Sequence, residues 1–216
     1  MKSTYIVGAS GAAKEIFLLL KTINNVEHVF DFKGFIDLNP KESTLSIGKN
    51  KFNIFNEVDF LKSQKESCNI IFGIAFPERS KLIMEKYKSY SNFSFPNLIH
   101  PQVNKDESVT IGIGNIICDA VVLTVDITIG NFNLINRGVH IGHDVTIGNH
   151  NVINPCTVVS GGVTINNLNL IGTHATILQY LDIDSSNIVG AGAVVTKSIS
   201  NNNTVIGIPA KSINNG

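Results

Sequence analysis

The sequence predicts a parallel β-helix wound on a six-residue repeat and preceded by a small α/β domain, and two spacings carry the prediction. Stepping by six from Ile111 reaches Ile117, Leu123, Ile129, Ile135, Ile141, Ile147, Ile153, Val159, Ile165, Ile171, Ile177, Ile183, Val189 and Val195, fifteen aliphatic residues without a miss. With aliphatic residues at about a third of positions, chance produces such a run on the order of once in ten million trials. Lys105 and Asn201 end it on either side. The second spacing is longer: Asn115, Asn133, Asn151, Asn169 and Asn187 recur every eighteen residues, so three hexads make one coil. A triangular coil explains both periods. The aliphatic residue of each hexad points inward, and one corner carries stacked asparagines, which tolerate left-handed backbone angles and hydrogen-bond along the stack. Gly112, Gly130, Gly142, Gly148, Gly172 and Gly190 follow inward residues, where the chain is expected to bend.

Ahead of the repeat, Thr4 to Val7 reads as a short buried strand. Gly8-Ala9-Ser10-Gly11 follows, then an amphipathic helix through Ile16, Leu19, Leu20 and Ile23. Further strands are expected at His28–Ile36 and Asn69–Phe76, helices around Glu57–Lys65 and Glu78–Tyr90, and a last strand near Phe95–Ile99. This alternation predicts a small Rossmann-like parallel sheet with helices on its faces. The pattern changes near Pro101, which divides the chain into residues 1–100, the α/β domain, and 101–216, the β-helix with a C-terminal tail.

Ligands of such sheets sit beyond the carboxyl ends of the strands, here Gly8–Ala12, the Asp37 turn and the Gly73–Pro77 loop. The helix N-terminus behind Gly11 favours a phosphate. Gly8-x-x-Gly11 lacks the third glycine of the dinucleotide fingerprint, and Asp37 lies about thirty residues on where about twenty is usual, which argues against nicotinamide binding.

Composition narrows the partners. Charged residues are 16% of the chain against a usual share of about 25%, which points to surface shared between subunits. Seventeen basic residues balance seventeen acidic ones without a basic cluster, so nucleic acid is not an expected partner. The first residues hold too short an apolar run for a signal peptide, and no stretch approaches the ~18 apolar residues of a membrane span, so a cytoplasmic protein with no membrane partner is expected. Cys68, Cys118 and Cys156 are odd in number and far apart, and are read as reduced and structural.

Four histidines, His140, His143, His150 and His174, fall within the repeat. His143 stands two residues past the inward Ile141, at or near a corner, and the residue one coil above it is Gly161. A glycine there leaves open space beside the histidine, wide enough in principle for an extended thioester arm along the wall. His140 points outward, while His150 and His174 occupy another hexad position, and no spacing among them supports a metal site. By itself a corner histidine reads more readily as an ordinary surface residue, and only a family resemblance overturns that reading.

Several segments resemble the sugar O-acyltransferases of the sialic acid O-acetyltransferase type, hexapeptide-repeat enzymes that include bacterial N-acetyltransferases of nucleotide-linked 4-amino sugars. The matching pieces are Gly8-Ala-Ser-Gly-Ala-Ala-Lys-Glu15, Gly34-Phe-Ile-Asp-Leu-Asn-Pro40, His100-Pro101, Asn136-Arg-Gly-Val-His-Ile-Gly-His-Asp144, Gly190-Ala-Gly-Ala-Val-Val195 and Gly207-Ile-Pro-Ala-Lys211, in the family's order along nearly the whole chain. The resemblance implies a left-handed β-helix, a homotrimer with active sites between adjacent subunits, acetyl-CoA as cosubstrate with no metal, and a nucleotide-linked amino sugar as acceptor in surface-polysaccharide or glycan synthesis. It implies His143 as general base and Asp144 as the acid that strengthens it. It places Asn136 near the sugar, Ser10, Gly11, Ala12 and Asp37 at the nucleotide-sugar, and Val152, Gly161, Thr173 and Ala191 along the acetyl-CoA path. The chain differs from the family's pattern at Ala12 and Val152, where histidine is common. Transfer to the amine of a 4-amino-4,6-dideoxyhexose on UDP, dTDP or GDP is the leading expectation. O-acetylation of a sugar such as sialic acid and a non-catalytic trimeric scaffold are the alternatives.

Overall fold

A computed structural model describes residues 1–213, which form two compact units: residues 1–75 with 79–96, and residues 76–78 with the chain from 97 onward. The first unit contains β1 (Lys2–Val7), α1 (Gly11–Val26), β2 (Phe30–Asp37), β3 (Thr44–Ile47), β4 (Asn50–Asn56), α2 (Glu57–Ser63), β5 (Cys68–Phe72), all but the first two residues of α3 (Pro77–Lys88), and β6 (Phe93–Ser94). Its sheet runs β3-β4-β2-β1-β5-β6 and is parallel except for the β3–β4 pair. That antiparallel hairpin corrects the all-parallel expectation. Leu45 and Ile47 alternate with polar residues on one side of Gly48 and Phe52 and Ile54 on the other, and Gly48 supplies the positive φ of 59° that the turn needs. The strand expected near Phe95–Ile99 is two: β6 joins this sheet, while Leu98–Ile99 (β7) belongs to the second unit.

Two glycines shape the loops at the carboxyl ends of the strands. Gly8 has φ of 106°, and a Cβ there would lie 2.9 Å from the Gly73 carbonyl oxygen. A Cβ on Gly73 would lie 2.8 Å from that of Ala13, so α1 rests directly on the end of β5. Phe17 of α1 packs against Phe32 and Phe52, with ring centroids 4.8 and 4.5 Å apart, which fixes the other edge of the helix.

The second unit is a parallel β-helix of fifteen two-residue strands, from β8 (Thr110–Ile111) to β22 (Val194–Val195). Each inward aliphatic of the six-residue series is the second residue of its strand; all but the partly buried Ile111 are in the buried core, which they share with residues two positions earlier such as Val121, Val139, Val145 and Val163. Strands pair at an offset of eighteen residues, as Leu134 with Val152 and Ile135 with Ile153. They form three sides, two of five strands and one of eight that also contains β7, β23 (Thr204–Ile206) and β24 (Lys211–Ser212). Ile99 stands on the same six-residue series as Ile111, and its pairing with Ile117 carries that side past the break at Lys105.

The corners differ from the sequence reading in a way that steric contact explains. The third residue after each inward residue from Ile111 to Val189 is left-handed, from Gly114 (φ 69°) through Phe132, Asp144, Cys156 and Tyr180 to Gly192 (φ 67°). The glycines directly after inward residues are not left-handed. Their small size serves close approach between coils: a Cβ on Gly130 would lie 2.7 Å from Asn149 Oδ1, and one on Gly142 would lie 2.7 Å from Gly161 N.

The asparagines, likewise, are not the left-handed residues. They are amide ladders. The N–H groups of Asn133, Asn151, Asn169 and Asn187 each donate to the side-chain oxygen of the asparagine one coil earlier, at 2.8–2.9 Å. The ladder starts at Asn97, which accepts from Asn115 N, and ends at Asn203. A second ladder on the same corner runs oppositely, Asn131 N to Asn149 Oδ1 and Asn149 N to Asn167 Oδ1. At the C-terminal end Ile199 and Val205 are buried and Ala210 N–H donates to Val194 O at 2.7 Å, closing the prism. No helix among the described residues is long and apolar enough to cross a membrane.

Asn151 donates to Asn133 Oδ1 and Asn166 O and accepts from Asn169 N, all in a buried setting. Its replacement by alanine strands buried polar groups and is expected to lower unfolding free energy by about 2–4 kcal/mol. Urea denaturation checks this; a loss under about 1 kcal/mol contradicts the ladder's structural role.

Candidate active site

One corner of the prism joins the side containing β13 (His140–Ile141) to the side containing β14 (Thr146–Ile147), and it carries His143 and Asp144. His143 Nδ1 stands 2.7 Å from Asp144 Oδ2, with the two side chains 54% and 63% exposed. Asp144 holds the left-handed corner position at φ 58°, which turns its side chain back toward the preceding residue. With the carboxylate ionised, Nδ1–H donates to it, and the ring's lone pair is left on Nε2, the ring atom nearest Gly161.

One coil above lies Gly161. The space left by its missing side chain is occupied by the His143 ring: a Cβ there would collide with Nε2 and Cε1. This corrects the expectation that the space admits a thioester arm. The glycine makes room for the imidazole itself. Gly161 is buried, its N–H has no hydrogen-bond acceptor among the described residues, and Gly142 approaches that nitrogen closely from below. A proton acceptor and an unused N–H donor therefore lie side by side, the pairing that acyl transfer requires.

The other expected residues of this unit lie elsewhere. Asn136, Thr173 and Ala191 are on the corner at the opposite end of the β13 side, with Thr173 one coil below Ala191. Asn136 Oδ1 accepts from Arg137 N, and Arg137 Nε pairs with Asp119 Oδ1 at 3.0 Å. Val152 is in β15 (Val152–Ile153) on the third side and is buried. A single chain thus brings His143, Asp144 and Gly161 together and leaves Asn136, Thr173, Ala191 and Val152 apart from them.

In the first unit Ser10 and Asp37 line an open cleft of about 530 Å³ with Lys14, Asn39, Lys41 and Thr44. Ser10 caps α1 without a side-chain cap bond, so its hydroxyl and the first N–H groups of the helix, from Gly11 and Ala12 onward, are available to an anion. Asp37 Oδ1 accepts from Asn39 N at 3.1 Å, which holds the turn. Sequence reasoning missed Lys14 and Lys41. Lys14 was legible as the residue one helical turn after Ser10; Lys41 owes its place to the unforeseen hairpin.

Residues 126–161 match the bacterial transferase hexapeptide (six repeats) family. None of the curated proteins matches the chain in sequence. Among solved structures, a mutant of perosamine N-acetyltransferase from Caulobacter crescentus, in complex with CoA and GDP-perosamine, is similar with a TM-score of 0.87 at 24% identity, over 99% of this chain and 97% of that one. The acetyltransferase domain of PglB from Neisseria gonorrhoeae FA1090, in complex with acetyl coenzyme A, is similar at 0.86 and 24% identity, over 98% and 99% of the two chains. WeeI from Acinetobacter baumannii AYE gives 0.83 at 27% identity, over 99% and 100%. These structures share the fold of both units.

Among the described residues no three His, Cys, Asp or Glu side chains are grouped to hold a metal ion. Cys68 and Cys118 are buried, and burial pushes the Cys68 thiol up to about 11. Cys156 departs from the expected structural reading: it is exposed at a left-handed corner. A chromogenic disulfide reagent at pH 8 is expected to titrate one thiol in the native protein and three after denaturation; fast reaction of Cys68 in the native state contradicts its burial.

Proposed function

We propose that this protein is an acetyl-CoA-dependent N-acetyltransferase whose acceptor is the 4-amino group of a 4-amino-4,6-dideoxyhexose carried on a nucleoside diphosphate. The observation that carries the reading is the corner where the imidazole of His143, paired with Asp144, lies against the unbonded N–H of Gly161. His143 Nε2 accepts a proton from the amine as its nitrogen bonds to the thioester carbonyl carbon. Asp144 stabilises the resulting imidazolium, and Gly161 N–H donates to the oxygen that becomes negative. Collapse of the tetrahedral species breaks the C–S bond, and His143 returns the proton to the departing thiolate. Amide, free thiol and neutral imidazole result, so atoms and charge balance.

The Ser10–Asp37 cleft supplies the nucleotide site. Its helix N-terminus and the lysines at 14 and 41 suit a diphosphate. The perosamine N-acetyltransferase complex contains CoA and a GDP-sugar, and the PglB domain acetyl coenzyme A, chemistry that this pair of sites suits. A homotrimer accounts for the scattered remainder. Val122 and Val158, 44% and 39% exposed, flank His140 on the side between the two corners, an apolar face for a second copy. Packing there brings the corner with Asn136, Thr173 and Ala191 of one copy toward His143 of the next. The cytoplasm, which supplies acetyl-CoA and nucleotide sugars, is its compartment.

Thiol release from acetyl-CoA, measured with UDP-, dTDP- and GDP-linked 4-amino sugars and with free sialic acid, tests the reading. Turnover is expected with one nucleotide amino sugar. His143→Ala is expected to lower it at least about 100-fold and Gly161→Ala at least about tenfold. Turnover with sialic acid alone contradicts N-acetylation, and undiminished turnover in His143→Ala contradicts the base. Replacing Lys14 and Lys41 together by alanine is expected to raise KM for the nucleotide sugar about tenfold, about 1.4 kcal/mol, with kcat nearly unchanged. An unaltered KM contradicts the placement of the diphosphate.

A further inference from the structure

The cleft of the first unit carries a carboxylate among groups otherwise suited to an anion, and the proposed diphosphate gives it no task. Asp37 is the last residue of β2, and Gly8 N–H donates to Ile36 O at 2.7 Å, so Asp37 follows directly on the residue that holds the glycine turn. The turn after β2 is fixed from two sides. Asp37 Oδ1 accepts from Asn39 N at 3.1 Å, and Asn56 Nδ2 donates to Leu38 O at 3.2 Å. Asp37 Oδ2 has no partner among the described residues, although Lys14 and Lys41 line the same cleft. An ionised carboxylate only accepts hydrogen bonds, so this half-buried side chain offers the cleft a place for a donor.

The other groups of the cleft follow the order of the sheet. β1, β2, β4 and β3 are consecutive neighbours, about 4.8 Å apart at each step. At the end of β1 lie Ser10, Lys14 and the first N–H groups of α1. At the end of β2 stands Asp37. On the β3–β4 hairpin stand Leu45 and Ile54, half-buried aliphatics. Anion donors, an acceptor and an apolar surface therefore succeed one another across the cleft. A nucleoside diphosphate presents the complementary series: a diphosphate, a pentose whose hydroxyls donate, and a base with flat apolar faces. Laid with its diphosphate at α1 and its base at the hairpin, it sets the pentose at Asp37.

We infer that Asp37 holds the vicinal 2′- and 3′-hydroxyls of a ribose, so that the acceptor sugar is carried on a ribonucleoside diphosphate, UDP or GDP, and not on dTDP; the inference rests on the proposed nucleotide site. Both hydroxyls of a ribose are donors on one face of the ring, and the carboxylate has acceptor capacity for both beside its bond from Asn39 N. A 2′-deoxyribose supplies one of the two donors and turns a C–H toward the charge. The end of the strand beside the glycine turn is also where nucleotide-binding α/β sheets place an acid for ribose hydroxyls.

Calorimetric titration of the full chain with UDP, 2′-deoxy-UDP, GDP and 2′-deoxy-GDP tests the assignment, because each pair differs only at the 2′ position. For the base that binds, the deoxy form is expected to bind at least about tenfold more weakly than the ribo form, as loss of a hydrogen bond to a charged group implies. Asp37→Ser keeps a short acceptor for Asn39 N and loses the reach to the ribose. In that variant the two forms are expected to bind within about threefold of each other, because the ribo form is weakened. Equal affinity of wild type for the two forms overturns the ribose contact and leaves the proposed function standing; this comparison needs no variant, so it decides the matter even where Asp37→Ser does not fold. A gap that survives in Asp37→Ser overturns the assignment too, since another group then reads the 2′-hydroxyl. Binding of neither ribonucleotide removes the nucleotide site of the proposed function and this inference with it.

Discussion

The parallel pairing of each strand with the one eighteen residues later is the constraint on which the rest of this molecule depends. Strands of two residues have no stability of their own, and they persist because every N–H and C=O along a side is handed to the coils above and below. That offset decides what stands over what. It sets asparagine on asparagine inside one corner, aliphatic on aliphatic in the core, and Gly161 over His143 at another corner. A one-residue change of register would turn the core residues outward.

The same constraint separates two kinds of corner. The asparagine corner uses side-chain amides to satisfy backbone N–H groups, so it is closed and stiff. The corner of His143 has no such ladder, and its Gly161 N–H stays unbonded. Unpaired polar groups are costly inside a protein and useful where a reacting oxygen needs a donor. The two corners thus treat the same backbone groups differently: Asn at the corner position pairs them, and Gly161 leaves its N–H open.

Much of this was legible in the sequence because a period is a long-range statement written locally. Ile111 to Val195 at intervals of six defines the strands, and their stacking order follows from eighteen. The conformations at the corners were less legible. Glycine at 130 or 142 suggests backbone freedom, yet the reason for it is a neighbouring coil that no local pattern reveals, while Phe132 and Tyr180 bear the left-handed angles. Likewise the room above His143 was visible as an interval, but which group fills it depends on a side-chain rotamer. In the first unit the glycine turn and Asp37 were legible, and the hairpin that brings Lys41 to the cleft was not, since its strands are short and partly polar.

The central claim is that acyl transfer takes place at the corner shared by His143 and Gly161. A crystal structure with acetyl-CoA bound tests it most directly. The thioester carbonyl oxygen is predicted to lie within hydrogen-bond distance of Gly161 N, with the carbonyl carbon facing His143 Nε2. A thioester bound at any other corner or side, with His143 and Gly161 untouched, would contradict the account.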